Sequence, residues 1–174
     1  MSLKYNVGIV GLGAIGLQIA QTIDLGKLPQ MRVSVVCSRD KVKAKNNLKT
    51  LKSQPSITSI ENVAKQSDVI IECAPAEIFD QIAESAIEAG KIFIPASVGA
   101  LLPRMHLVDR AAETGAKIII PTGALLGLDA VRAAAEGNIE SITLKTRKPP
   151  TGLAGAPHLL ENNISVDNLS EAKL

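Results

Sequence analysis

The stretch "VGIVGLGAIGLQIAQTI", residues 7–23, decides the fold. It opens with the apolar run 7–10. Glycines follow at Gly11, Gly13 and Gly16, and apolar residues recur at Leu12, Ile15, Ile19 and Ile23. The change from an extended run to a helical stripe predicts strand, tight turn, helix. Gly11 then allows the turn, Gly13 leaves room where a pyrophosphate must approach, and Gly16 lets helix and strand pack closely. Free N–H groups at the helix start, with Ala14 and Ile15, would bind the phosphates. A tight strand–helix turn without a ligand is the other reading of the same residues.

The bulk numbers narrow the classes. The 174 residues can bury a real core, and 46% hydrophobic residues argue against general disorder. One Tyr, two Phe and no Trp leave little to stack on nucleic acid, and a net charge of +2 implies no basic binding face. The positive charge is local, in "RDKVKAKNNLKTLK", a solvated helical face. Cys37 and Cys73 give no disulfide framework and read as buried thiols near strand ends. The histidines and cysteines lack metal-ligand spacing. The start, "MSLKYNVGIVG", reads as no signal peptide, and no apolar stretch of transmembrane length is free of Gly, Pro or charge. The expectation is a cytoplasmic protein.

Beyond residue 23 the alternation repeats. Strands are expected at 31–38, 56–60, 68–75, 91–97 and 116–123. Helices are expected at about 40–51, at 61–67, at 76–90 with Gly90 as a cap, and at 101–115 with Pro103 in its first turn and Gly115 after its last. Compact crossovers between near-continuous apolar strands predict an α/β fold: a Rossmann-type parallel sheet with helices on both faces. After residue 121 the character changes. A helix is expected from Leu128 or Asp129, and alternation at Ile139, Ile142 and Leu144 predicts a half-exposed strand. "TGLAGAPHLL" reads as a glycine-rich loop, and the remainder is polar.

The second strand should end near an adenosine ribose. Ser38 and Arg39 there suit a 2′-phosphate, with Lys41 and Lys43 adding field, and so favour NADP. Asp40 would instead accept from a ribose hydroxyl, as in NAD sites, if the strand ended later. The cofactor is therefore NADP or NAD. Cys73, Ala74 and Ser97 follow later strands and would run under the cofactor toward its nicotinamide end. Glu72 has three readings: a surface charge, a buried hydrogen-bonded carboxylate, or a member of the site. It receives no proton-transfer role.

The segment "IIIPTGALLGLDAVRAAAEGNIESITLKTRKPP", with "GIVGLGAIG" and "VIIECAP", resembles the L-aspartate dehydrogenase family, which is similar to homoserine dehydrogenase in plan. "PTGALLGLDA" is its most specific part, and the resemblance covers essentially the whole chain. It implies NAD(P)-dependent oxidation of L-aspartate to iminoaspartate for pyridine nucleotide synthesis. The reverse is reductive amination of oxaloacetate with ammonia, and the implied assembly is a homodimer. It also implies that Gly123 and Ala124 lie where nicotinamide meets substrate. Residues 1–121 would form the dinucleotide-binding domain. Residues 122–174 would form the incomplete, partly mobile start of an α+β substrate domain. The family chain continues further and carries its catalytic histidine there. His106 and His158 match that position in neither case, so the catalytic residue is unknown and this chain alone is expected to be inactive. Two rivals stand beside this reading: an NAD(P)-dependent dehydrogenase for homoserine or another amino or hydroxy acid, and a dinucleotide-binding or dimerising module without catalysis.

Overall fold

The computed structural model describes residues 5–123, 127–145, 147–167 and 169. The chain divides into two compact units, Met1–Leu125 and Leu126–Leu174.

The first unit holds six parallel strands: β1 (Tyr5–Val10), β2 (Met31–Cys37), β3 (Ser56–Ile57), β4 (Val69–Glu72), β5 (Ile92–Pro95) and β6 (Lys117–Ile118), in the order β3-β2-β1-β4-β5-β6. The central strands have to be apolar on both faces, since both are covered. Val7 and Ile9 of β1 enter one core with Ala20 and Ile23 of helix α1 (Ala14–Asp24) and Ala44 and Leu48 of α2 (Lys41–Leu48). Val10 and Ile70 enter the other. There they join Val63 of α3 (Ile60–Gln66), Phe79, Ile82, Ala83, Ala86 and Ile87 of α4 (Phe79–Glu88), Leu101 of α5 (Val98–Leu101), and Leu107 and Ala111 of α6 (His106–Thr114). The sheet is thus a doubly wound Rossmann-type sheet, as expected.

Several boundaries differ from the sequence reading. The helix expected at 101–115 is broken into α5, a 3₁₀ turn at Leu102–Arg104 and α6, because Pro103 has no N–H to continue the ladder. Gly115 ends α6 with φ +74, a left-handed cap that glycine adopts without strain. The last strand is confined to two residues at the sheet edge, and Ile119 and Ile120 beyond it are about half exposed. Cys37 and Cys73 are half-buried, not buried: Cys37 is the last residue of β2 and Cys73 the first after β4.

The second unit contains α7 (Leu128–Ala134), a 3₁₀ turn at Pro150–Gly152 and α8 (Pro157–Glu161). Helix α7 starts where expected. The strand expected from alternation at Ile139, Ile142 and Leu144 does not form among the described residues, and Ile142 and Leu144 are each 61% exposed. Alternation supplies an apolar face, but a strand also needs a neighbour for its backbone groups. The stretch read as a loop is partly helical, with Pro157 in the first turn of α8, where a missing N–H costs nothing.

Candidate dinucleotide site

The strand register builds the site. Val10 pairs with Cys37 on one side and Glu72 on the other, and Glu72 pairs with Pro95. The carboxyl ends of β2, β1, β4 and β5 therefore stand in one row. The residues that follow them, Ser38–Arg39, Gly11–Gly16, Cys73–Ala74 and Ser97, share one rim of the sheet. This rim includes the point where the strand order reverses, at β1 and β4, the place where open α/β sheets form a crevice.

The three glycines meet different surroundings. Gly11 has φ +95, and a Cβ there would lie 2.3 Å from the Cys73 carbonyl oxygen. A Cβ on Gly16 would lie 2.0 Å from the Gly11 carbonyl oxygen. Both positions are closed by the chain's own backbone. A Cβ on Gly13 would meet nothing within 4 Å. Gly13 is the N-cap of α1 and is exposed, as are Ala14 and Ile15. No side chain caps this helix start, so its first N–H groups keep their donor capacity. The Leu12 carbonyl accepts from Asn47 Nδ2 at 3.0 Å, which ties the loop to α2; the sequence carried no signal for that tie.

At the β2 end, the strand stops at Cys37, and Asp40 is spent as the α2 cap, its Oδ1 accepting from the Lys43 N–H at 2.9 Å. Ser38 is half-buried and Arg39 exposed. A cavity of about 390 Å³ lies here, lined by Cys37, Ser38, Lys41, Lys45, Ile57, Thr58 and Ser59. Of the two lysines expected to add field near a 2′-phosphate, Lys41 lines this cavity and Lys43 does not; Lys45 lines it as well. The spacing of four between Lys41 and Lys45 on α2 was the available signal.

At the β4 and β5 ends, Glu72 is a buried, hydrogen-bonded carboxylate. Its Oε1 accepts from the Ala74 N–H at 2.7 Å and from Ser97 Oγ at 3.1 Å, and its Oε2 accepts from the Ser97 N–H at 2.9 Å. Burial, reinforced by Glu72, pushes the Cys73 thiol up to about 12. Burial also raises the Cys37 thiol. Neither is an activated nucleophile. Gly123 lies exposed in a turn beyond β6 with φ +62. Ala124 lies outside the described residues. His106 and His158 are both exposed on helices, His158 beside Asn162. Among the described residues no cluster of His, Cys, Asp and Glu could hold a metal, and no helix is long and apolar enough to cross a membrane.

A family model described as "Homoserine dehydrogenase, NAD binding domain" matches residues 11–121. The chain belongs to this family. Among its relatives, L-aspartate dehydrogenase of Bradyrhizobium diazoefficiens is 43% identical over 98% of this chain and 60% of its own length. L-aspartate dehydrogenase 3 of Bordetella bronchiseptica is 42% identical over 98% of this chain and 63% of its own. L-aspartate dehydrogenase of Methanocella arvoryzae is 38% identical over 96% and 63%. The chain thus spans about three fifths of the length of the curated relatives it matches. The sequence resemblance to L-aspartate dehydrogenases is borne out. Among solved structures, apo scyllo-inositol dehydrogenase of Lactobacillus casei aligns with TM-score 0.55 at 19% identity over 68% of this chain and 37% of its own. An NAD binding oxidoreductase of Klebsiella pneumoniae aligns with TM-score 0.54 at 18% identity over 68% and 34%. These establish the shared fold of this homoserine dehydrogenase-type NAD-binding domain.

Proposed function

We propose that this chain is the dinucleotide-binding part of an L-aspartate dehydrogenase. The observation that carries the reading is the 43% identity over 98% of the chain to an enzyme of that name. The reaction is oxidation of L-aspartate to iminoaspartate, in which the α-carbon gives up a hydride and the amine a proton. The reverse is reductive amination of oxaloacetate with ammonia.

The residues fit an NAD(P) cofactor, because the one glycine of the loop with open space above it stands at an uncapped helix start. When bound, the dinucleotide supplies the carbon that takes the hydride. The chain's own residues bind and orient. The N–H groups of Ala14, Ile15 and Gly16 would hold the pyrophosphate. The Ser38 hydroxyl and Arg39 guanidinium would take the adenosine ribose and favour a 2′-phosphate, hence NADP over NAD. Cys73, Ala74 and Ser97 would line the path to the nicotinamide, and Gly123 and Ala124 would lie where it meets substrate. Residues 1–121 would be the binding domain and 122–174 the beginning of a substrate domain in a cytoplasmic homodimer. Neither His106 nor His158 is proposed as a catalytic residue.

The test is NAD(P)H formation from L-aspartate, with homoserine alongside, by this chain and by a longer protein containing it. Aspartate-dependent reduction by the longer protein is expected. Turnover of homoserine in its place would replace the substrate.

A further inference from the structure

Glu72 is 1% exposed and is the single charged side chain buried among the described residues. A carboxylate is costly to remove from water unless its oxygens are satisfied. Here the donors are three neutral groups, and all three lie in the turns after β4 and β5: the Ala74 N–H, the Ser97 N–H and the Ser97 hydroxyl. The backbone of Glu72 makes the same connection, its carbonyl accepting from the Ala96 N–H at 2.8 Å. One residue thus ties two strand ends through both its main chain and its side chain. Ser97 is 25 residues away in sequence, so no local turn preference would create the bond.

The position of this tie in the sheet gives it meaning. Along the rim, β2 lies on one side of the glycine loop and β4 and β5 on the other. With adenosine at Ser38 and phosphates at the loop, the nicotinamide half falls across the β4 and β5 ends. We propose that Glu72 is a positioning residue for that half, holding the Ala74 and Ser97 turns in their binding geometry before cofactor arrives. This rests on the dinucleotide reading of the rim. A turn fixed in advance spares the ligand the cost of ordering it.

The experiment compares NADH with ADP-ribose, which lacks only the nicotinamide, by calorimetry on the 174-residue chain and on Glu72→Gln. The amide of a glutamine must turn its NH₂ toward one of the donors, so one bond is lost with little change of shape. NADH affinity is expected to fall by about tenfold, the size of one unmade hydrogen bond to a charged acceptor, while ADP-ribose affinity stays within about twofold. Equal losses for both ligands, or no loss for NADH, would overturn the proposal. Amide hydrogen exchange on the wild-type chain tests it independently should the variant fail to fold. The Ala74 and Ser97 amides should be protected already without ligand, and NADH but not ADP-ribose should protect them further. Unprotected amides in the free chain, or equal protection by both ligands, would overturn it. If wild type binds neither ligand, the dinucleotide reading itself fails, while protection in the free chain would show the Glu72 tie still standing.

Discussion

One methyl group, placed in turn on Gly11, Gly13 and Gly16, separates the structural from the ligand-facing duty of the loop. At Gly16 the new carbon would sit 2.0 Å from the Gly11 carbonyl oxygen and 3.2 Å from Ile9 Cγ2, so α1 must move off β1. At Gly11 it would sit 2.3 Å from the Cys73 carbonyl oxygen on a residue with φ +95. Overpacking costs about 1–3 kcal/mol, and left-handed backbone adds roughly 1–2 kcal/mol for an L-residue. Gly11→Ala and Gly16→Ala should each lose about 3 kcal/mol, which for a chain of this size lowers Tm by roughly 6–12 °C. Gly13→Ala meets no atom within 4 Å, and its φ of −81 suits alanine. Its poorer capping is offset by a less flexible unfolded chain, so Tm should move by about 2 °C or less. On the proposed reading of the loop, however, the same methyl group would project where phosphates close on the helix N–H groups. NADH affinity should fall by about tenfold or more, the cost of losing good hydrogen bonds to a charged group. Calorimetric melting and NADH titration of the three variants give both readouts. If Gly13→Ala melted as early as Gly16→Ala, or bound NADH like wild type, the division of labour would be refuted.

Three further outcomes follow from named groups. Arg39→Ala should weaken NADPH by about tenfold and NADH hardly at all, since only the former carries a 2′-phosphate for the guanidinium to pair with; equal losses would remove the preference. For Asp24, burial raises the carboxyl, but the Lys52 and Ser53 N–H donors outweigh it and hold it below the ordinary carboxylate range. Its contribution is present above the unfolded value of about 4 and is lost as pH falls through the depressed folded value. Acid melts of Asp24→Asn should therefore show a flatter loss of stability than wild type; parallel curves would count against it. The Cys73 thiol, raised to about 12, should react slowly with a disulfide reagent near pH 8 in the folded chain and quickly in denaturant; fast reaction of the native thiol would show that the rim is open.

The sheet was legible because a buried parallel strand has to be largely apolar on both faces, and β1, β2 and β4 read as near-continuous apolar runs, β2 interrupted only by Arg32 and Ser34. The glycine spacing placed the loop because each glycine answers a separate steric demand. The Ile139–Leu144 pattern misled because alternation records a face and not a partner. The 3₁₀ break at Leu102–Arg104 followed from Pro103, whose lost N–H was legible but was read as a helix start. The Glu72–Ser97 tie and the Asn47 bond to Leu12 join residues distant in sequence, and only the completed sheet brings them together. Ser97 was recognisable as a rim hydroxyl, yet nothing local revealed that a carboxylate beneath it would claim both its donors.

Calorimetric titration of the 174-residue chain with NADPH and with NADH tests the central claim most directly. The account predicts saturable binding of one dinucleotide per chain, tighter for NADPH, and sharply weakened by Gly13→Ala at unchanged Tm. No binding of either dinucleotide by a folded chain, or binding indifferent to Gly13→Ala, would contradict it.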